Sequence, residues 1–405
     1  MTSATAAGHP RLTAWNSVPA HDRDRRAVHL VTVAWGLLWL NVLTFSAGLS
    51  VLHLPSLAGK GITQAALPAA LVIAIAANRK LAIRPNVVLL LVSLLAAETL
   101  ITGLQVHGIS SAYRVLRLAL FVIALWLLTP YWGRRDLLLV RCHITALCAV
   151  LGTVLLGLLA APGHALAYGR LSGVIWPIAS TRVAHYAAVL AGLTVILWAG
   201  GRVRGPLTIA VVAVSGTLLL LTHTRTATIG LAAAALVALV SLVTSSARAR
   251  RLLAAGGAAA LIAAVAFSGQ VMSWLERGQQ AQQITDLTGR TVVWQQLLSL
   301  PRDRFHELLG FGLSNSSFSG LPIDDNWLAS YQQQGLAGVA ICALIIVFLL
   351  VATLLCTRGL PRALALFLVI YCLIASVTEV GFTDASPYLL DIVVTASLLV
   401  PAAVA

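Results

Sequence analysis

Twelve apolar runs separated by short polar connections dominate this chain. They lie near residues 28–54, 62–79, 86–106, 112–132, 137–161, 182–200, 206–222, 226–247, 251–273, 326–356, 363–380 and 386–404. A helix needs roughly 17–25 apolar residues to cross the hydrocarbon core of a bilayer, and most of these runs have that length. Lipid offers no hydrogen bonds, so a spanning segment must satisfy its amides internally, as a helix does. The expected fold is therefore an all-α polytopic membrane protein with about twelve spans. Composition agrees. Of 405 residues, 10% are charged and 59% hydrophobic, against roughly 25% charged in soluble domains.

The net charge of +14 falls into short clusters between the runs. No basic stripe interleaved with aromatics exists, so nucleic-acid binding is set aside. One alternating set of connections, "ANRKLAIRP", "GRRD", "GRVRG", "SSARARR" and "TRGLPRA", carries two or more Arg or Lys each. The other set, "PSLAGKG", "HGISSAYR", "APGHALAYGRLSG", "THTRTA" and "EVGFTDASP", is less basic. The positive-inside bias then puts the first set and both termini in the cytoplasm. Residues 1–27 read as a cytoplasmic tail, 28–273 as spans one to nine, and 326–405 as spans ten to twelve. The five cysteines, Cys142, Cys148, Cys342, Cys356 and Cys372, all lie in or beside apolar runs. They have no disulfide or metal-site spacing.

Residues 274–325 break the short-connection pattern. A long outside loop in a compact protein is usually functional. Within it "LTGRTVVWQQLLSLP" reads as a short amphipathic helix with Val293, Trp294, Leu297 and Leu298 on one face, ended by Pro301.

Four arginines stand on the outer side against the charge bias: Arg170, Arg182, Arg225 and Arg290. Snorkelling to headgroups accounts for single arginines at helix ends. Four of them beside Gly, Ser or Thr fit a shared anionic ligand, because guanidinium forks onto phosphate oxygens. Asp324 and Asp325 end the large loop, and Glu379 and Asp384 lie past the eleventh run. Asp325 reads either as a helix N-cap or as a general base. Glu98 and Asp391 are acids inside runs, with Arg114 and Arg117 as candidate partners for structural pairing. His185, His223 and His306 are further candidate bases, although a lone His is more often a structural hydrogen-bond partner. There is no HExxH, Walker A or GxSxG arrangement, so neither ATP-driven transport nor hydrolase chemistry finds support.

The order "RLSG", then "TRTA", then "TGRTVVW…LLGFGLSN…DDNWLASYQQQGLAG" resembles the O-antigen ligase and O-antigen polymerase superfamily of bacterial envelope proteins. Members have "SRT" or "TRT" at that hairpin, then "GR…W", "GxG", "HN" or "DN", and "GLxG". The motifs span roughly residues 165–345. The resemblance implies an inverting, metal- and cofactor-independent multi-spanning glycosyltransferase of the inner membrane, with its active site outside. Its donor would be a glycan on polyprenyl diphosphate and its acceptor a glycan or lipid hydroxyl. A flippase or chain-length regulator is an implied partner. Arg170, Arg225 and Arg290 match the family's arginines and, with Arg182, would bind the diphosphate. Asp325, Asp324 and His185 are the candidate catalytic residues; Asn326, Trp327 and Glu379 would bind glycan. Ligases carry His-Asn where this chain has Asp325-Asn326, which favours a polymerase. The rival class is a polytopic transporter or glycan flippase, which would show paired repeats and broken helices with charge at mid-membrane.

Overall fold

The computed structural model of the chain describes residues 22–43, 45, 50–51, 55–105, 109–266, 269, 290–313, 317–318 and 321–401. Fifteen α-helices are described: α1 Asp22–Val42, α2 Ser56–Ala77, α3 Val87–Gln105, α4 Ile109–Leu128, α5 Leu138–Ala160, α6 Pro162–Ala165, α7 Ser180–Ala199, α8 Gly205–Leu221, α9 Arg225–Leu242, α10 Ala247–Ala266, α11 Arg290–Ser299, α12 Arg304–Leu309, α13 Asn326–Leu355, α14 Leu360–Ala375 and α15 Pro387–Leu399. A two-residue hairpin, β1 Ser317–Phe318 and β2 Leu321–Pro322, is antiparallel. Most of the expected tail, and residues 274–289 of the expected loop, lie outside the described residues.

The chain is thus all-α, and each of the twelve apolar runs overlaps a helix. Six helices are long and apolar enough to cross a membrane: Ser56–Ala77, Ser111–Tyr131, Leu138–Ala160, Ser180–Ala199, Arg225–Leu242 and Asn326–Leu355. α7 is the central helix. It is 83% buried across its apolar window and packs against α5, α8, α9 and α14. α2 and α9 are only 28% buried over theirs. They present Val72, Ile75, Ile229, Leu236 and Val240 outward, an apolar belt far too large for a surface in water.

α14 and α15 are the shortest of the helices that overlap the apolar runs. At about 1.5 Å per residue, α14 and α15 reach roughly 24 Å and 20 Å, against about 30 Å of hydrocarbon. The connection between them runs over residues 376–386; its "EVGFTDASP" stretch (379–387), expected as an open outside loop, folds back into the bundle instead. Ser376, Phe382, Thr383, Ala385 and Ser386 are all buried. Irregular backbone shut away from water survives only where protein satisfies its polar groups, and this loop is held by several helices, as set out below.

α13 is one continuous run in sequence but two helices in space. Gly335 has φ 60° and breaks it. Residues 326–334 form a separate half-helix under the loop region. Gly310 (φ 71°) faces Gln333, and Gly335 faces Leu308. A Cβ on either would come within 2.4 Å of the opposing backbone. The amides of Phe311 and Gly312 then donate to the carbonyls of Gln332 and Gln333. "GFG" and "QQQG" are therefore one backbone-to-backbone junction, possible only with glycine on both sides.

α11 sits where the amphipathic segment was expected and ends before Pro301. Val293 and Leu297 are buried with Ile323 and Ala329, and Trp294 packs partly against them. Leu298, expected on the same face, is instead 61% exposed. The face is narrowed because this helix packs on one small cluster of protein, not on a broad apolar plane.

Candidate active site

The 376–386 loop is the hub of the site. Asn326 Oδ1 accepts from the amides of Gly381 (3.1 Å) and Phe382 (2.9 Å). Gln334 Nε2 donates to the Thr383 carbonyl (3.0 Å). Arg117 reaches from α4 to the Ala385 carbonyl (3.0 Å) and to the Asn41 carbonyl of α1. Arg182 Nη2 donates to the Val380 carbonyl (3.2 Å). Trp327 Nε1 donates to Ser376 Oγ (3.1 Å), and Thr378 Oγ1 to Thr226 Oγ1 (2.8 Å). Helices α4, α7, α9 and α13 therefore meet at this one loop, and Arg117 ties α1 to it.

The arginines gather around it. Arg182 lies in the first turn of α7, over the Tyr388 ring (5.2 Å). Its Nη1 is buried with no hydrogen-bond partner among the described residues. Asp324 and Glu379 are within electrostatic reach of it. Arg225 is the first residue of α9, next to the Thr226–Thr378 contact. Arg170 Nε donates to the Thr222 carbonyl (2.9 Å) and Nη2 to Thr224 Oγ1 (3.1 Å). Arg170 thus builds the tight turn, with His223 at φ 51°, that presents Arg225. Neither α7 nor α9 has a side-chain cap, and free amides at a helix N-terminus, with the dipole behind them, favour anions. For Arg290 the structure describes the backbone alone, as the start of α11.

The acids divide by exposure. Asp325 caps α13, with Oδ1 accepting from the Leu328 amide at 2.7 Å, and is 6% exposed. Asp324 is half-buried beside it, as is Glu379. Asn326 is fully enclosed, its Nδ2 donating to Cys342 Sγ. It clamps the hub loop and leaves no face for a glycan. Trp327 is half-buried and lines a groove of about 450 Å³ with Thr226, Ile229, Leu373, Val377 and Thr378.

His185 is placed elsewhere. Its Nε2 lies 3.2 Å from Asp391 Oδ2, and His143 Nε2 lies 2.9 Å from Asp391 Oδ1. All three are at most 1% exposed. Trp39 Nε1 donates to His143 Nδ1 (3.4 Å), so that ring holds its proton on Nε2, the nitrogen that faces Asp391. This His–Asp–His cluster joins α5, α7 and α15 inside the bundle. Asp391 was expected near an arginine; two histidines take that place. His143 was not singled out at all, since only the packing reveals it. The ring of His185 also lies tilted against that of Tyr388, centroids 4.1 Å apart, which links the cluster to Arg182. Glu98 was likewise matched with Arg114 or Arg117, but neither of its buried oxygens has a hydrogen-bond partner among the described residues.

His306 lies on α12, in contact with Asp303 and stacked on Phe311 (4.5 Å). That hydrogen bond holds the exposed Asp303 carboxyl below its usual range. Arg302, which no motif marked, lies over the Tyr331 ring (4.2 Å) and donates to Gln332 Oε1 (2.7 Å), fastening α12 to the α13 half-helix.

Residues 210–335 match the family model described as O-antigen ligase, which supports membership of the O-antigen ligase and polymerase superfamily. The match runs from α8 to the break in α13 and contains Arg225, Arg290 and Asp325. Arg170, Arg182 and Glu379 lie outside it. No match to a curated protein was found.

Proposed function

We propose that this member of the O-antigen ligase and polymerase superfamily transfers a glycan from a polyprenyl-diphosphate carrier to an acceptor hydroxyl, at the outer face of the inner membrane. The observation that carries the reading is the convergence of Arg170, Arg182 and Arg225 at two uncapped helix N-termini around one buried loop. In the displacement, the acceptor oxygen bonds to the anomeric carbon on the face opposite the diphosphate. The carbon–oxygen bond to the diphosphate breaks, and the diphosphate leaves with that electron pair. Preorganised guanidinium and amide donors stabilise this growing charge, so no metal is needed. Arg182 Nη1 and Arg225 would take the diphosphate, with Arg170 fixing the turn beneath Arg225, and Arg290 would join them from α11. The groove beside Trp327 would receive the first isoprene units.

The acceptor proton goes to a carboxylate at the mouth of α13. Asp325 serves as a cap, which supports Asp324, with its greater exposure, as the base. Glu379 would face glycan, while Trp327, which lines the groove, would contact the carrier. A polymerase is favoured over a ligase by the Asp325-Asn326 pair. The termini, with the basic loops, would be cytoplasmic.

The test uses purified protein in nanodiscs with a native pool of polyprenyl-diphosphate-linked oligosaccharide. Glycan length and carrier release are followed. Arg225→Ala and Asp324→Asn should each lower turnover about a hundredfold or more. Asp325→Asn should act mainly through stability. Carrier that crosses the bilayer without being released would sink the reading in favour of transport.

A further inference from the structure

At the end of the bundle opposite the candidate site, a cavity of about 170 Å³ opens between five segments. Leu138 and Leu139 of α5, Leu360 and Pro361 of α14, and Leu398 and Val400 at the end of α15 form apolar walls. Arg134, Arg135 and Arg202 form its rim. Arg134 is already engaged: its Nε and Nη2 each lie 3.2 Å from a different oxygen of Asp136. Arg135 and Arg202 are exposed and have no ion pair among the described residues. Counting Arg134, Arg135 and Arg202 against Asp136, the rim carries two uncompensated positive charges. The floor is rigid. The Gly133 amide donates to the Ser397 carbonyl (3.1 Å), which locks the 133–137 turn to α15.

We infer that this cavity is a binding site for the headgroup of an anionic phospholipid of the basic-loop leaflet. The two halves of the site match the two halves of such a molecule. Guanidinium donors on the rim suit a phosphodiester, and the leucine and valine walls suit the glycerol ester and the start of the acyl chains. Basic pockets between transmembrane helices on the cytoplasmic side are where such headgroups bind. A soluble anion would gain nothing from the apolar walls. The site is independent of the proposed reaction. Its occupant would staple the start of α5 to the start of α14 and the end of α15, the two helices that flank the hub loop.

The test is a lipid titration of the full-length protein in phosphatidylcholine nanodiscs doped with phosphatidylglycerol, read by native mass spectrometry and thermal unfolding. Wild type should retain about one phosphatidylglycerol preferentially and unfold at a higher temperature. In Arg135→Gln/Arg202→Gln the apparent affinity should fall about thirtyfold, from about 1 kcal/mol for each of the two arginines. Arg204→Gln/Arg358→Gln alters two exposed arginines at the same end but outside the cavity, and should leave the affinity unchanged. Equal losses in the two double variants would reduce the effect to general surface charge and overturn the site. The same stabilisation by inorganic phosphate in phosphatidylcholine alone would overturn the lipid assignment.

Discussion

Replacing Asp391 with alanine should destabilise the bundle more than any other single polar change described here. The carboxylate is 0% exposed and lies 2.9 Å and 3.2 Å from imidazole nitrogens on two other helices. Removing one partner of such a buried pair typically costs about 3–5 kcal/mol, because the groups left behind lose their compensation inside low dielectric. At roughly 2 °C per kcal/mol for a large domain, the melting temperature should fall by about 6–10 °C. Asp391→Asn should recover only part of this. Trp39 directs the His143 proton toward position 391, so an amide there can accept from one imidazole but turns its NH₂ on the other unless His185 changes tautomer. The assay is thermal unfolding of the purified protein in detergent, followed by tryptophan fluorescence. His185→Ala and the double variant complete a mutant cycle, which should show a coupling well above experimental scatter. A fall below 2 °C for Asp391→Ala, or additive single variants, would refute the idea that the cluster ties α5, α7 and α15 together.

Other outcomes follow from the same geometry. Gly335→Val places a side chain against the Leu308 backbone at a positive φ; the α12–α13 junction should open, and limited proteolysis should cut near residue 310. Asn326→Ala strips the amides of Gly381 and Phe382 of their acceptor, at about 1–3 kcal/mol per buried group. Amide exchange across 380–386 should accelerate, and no change there would remove Asn326 as the clamp. Arg170→Lys keeps the charge but loses the forked contact to Thr222 and Thr224; turnover should fall while overall melting changes little. For Asp303 the folded-state carboxyl is more acidic than the free one. Its contribution to α12 is therefore complete above about pH 4 and disappears as pH falls through the lower folded value. Asp303→Asn should abolish that acid dependence of α12 amide exchange.

Much of the architecture was legible in residue order because lipid leaves so few choices. An apolar run of sufficient length becomes a helix whatever its neighbours do, so the positions of α1 to α5, α7 to α10 and α13 to α15 could be read directly. The motif glycines and the out-of-place arginines were also visible, since each departs from a strong local rule. What each departure was for depended on the third dimension. Nothing local distinguishes Asp325 the cap from Asp324 its neighbour, or says that Asn326 holds the loop of residues 376–386, which is fifty residues away in sequence. The retreat of that loop into the bundle follows from the shortness of α14 and α15, which the apolar runs hid because they continue past the helix ends. His143, Asp391 and His185 were three isolated polar residues in three oily segments. Only the packing of α5, α7 and α15 made them one cluster, because a charge in a dry interior has to find its partner across helices and not along the chain.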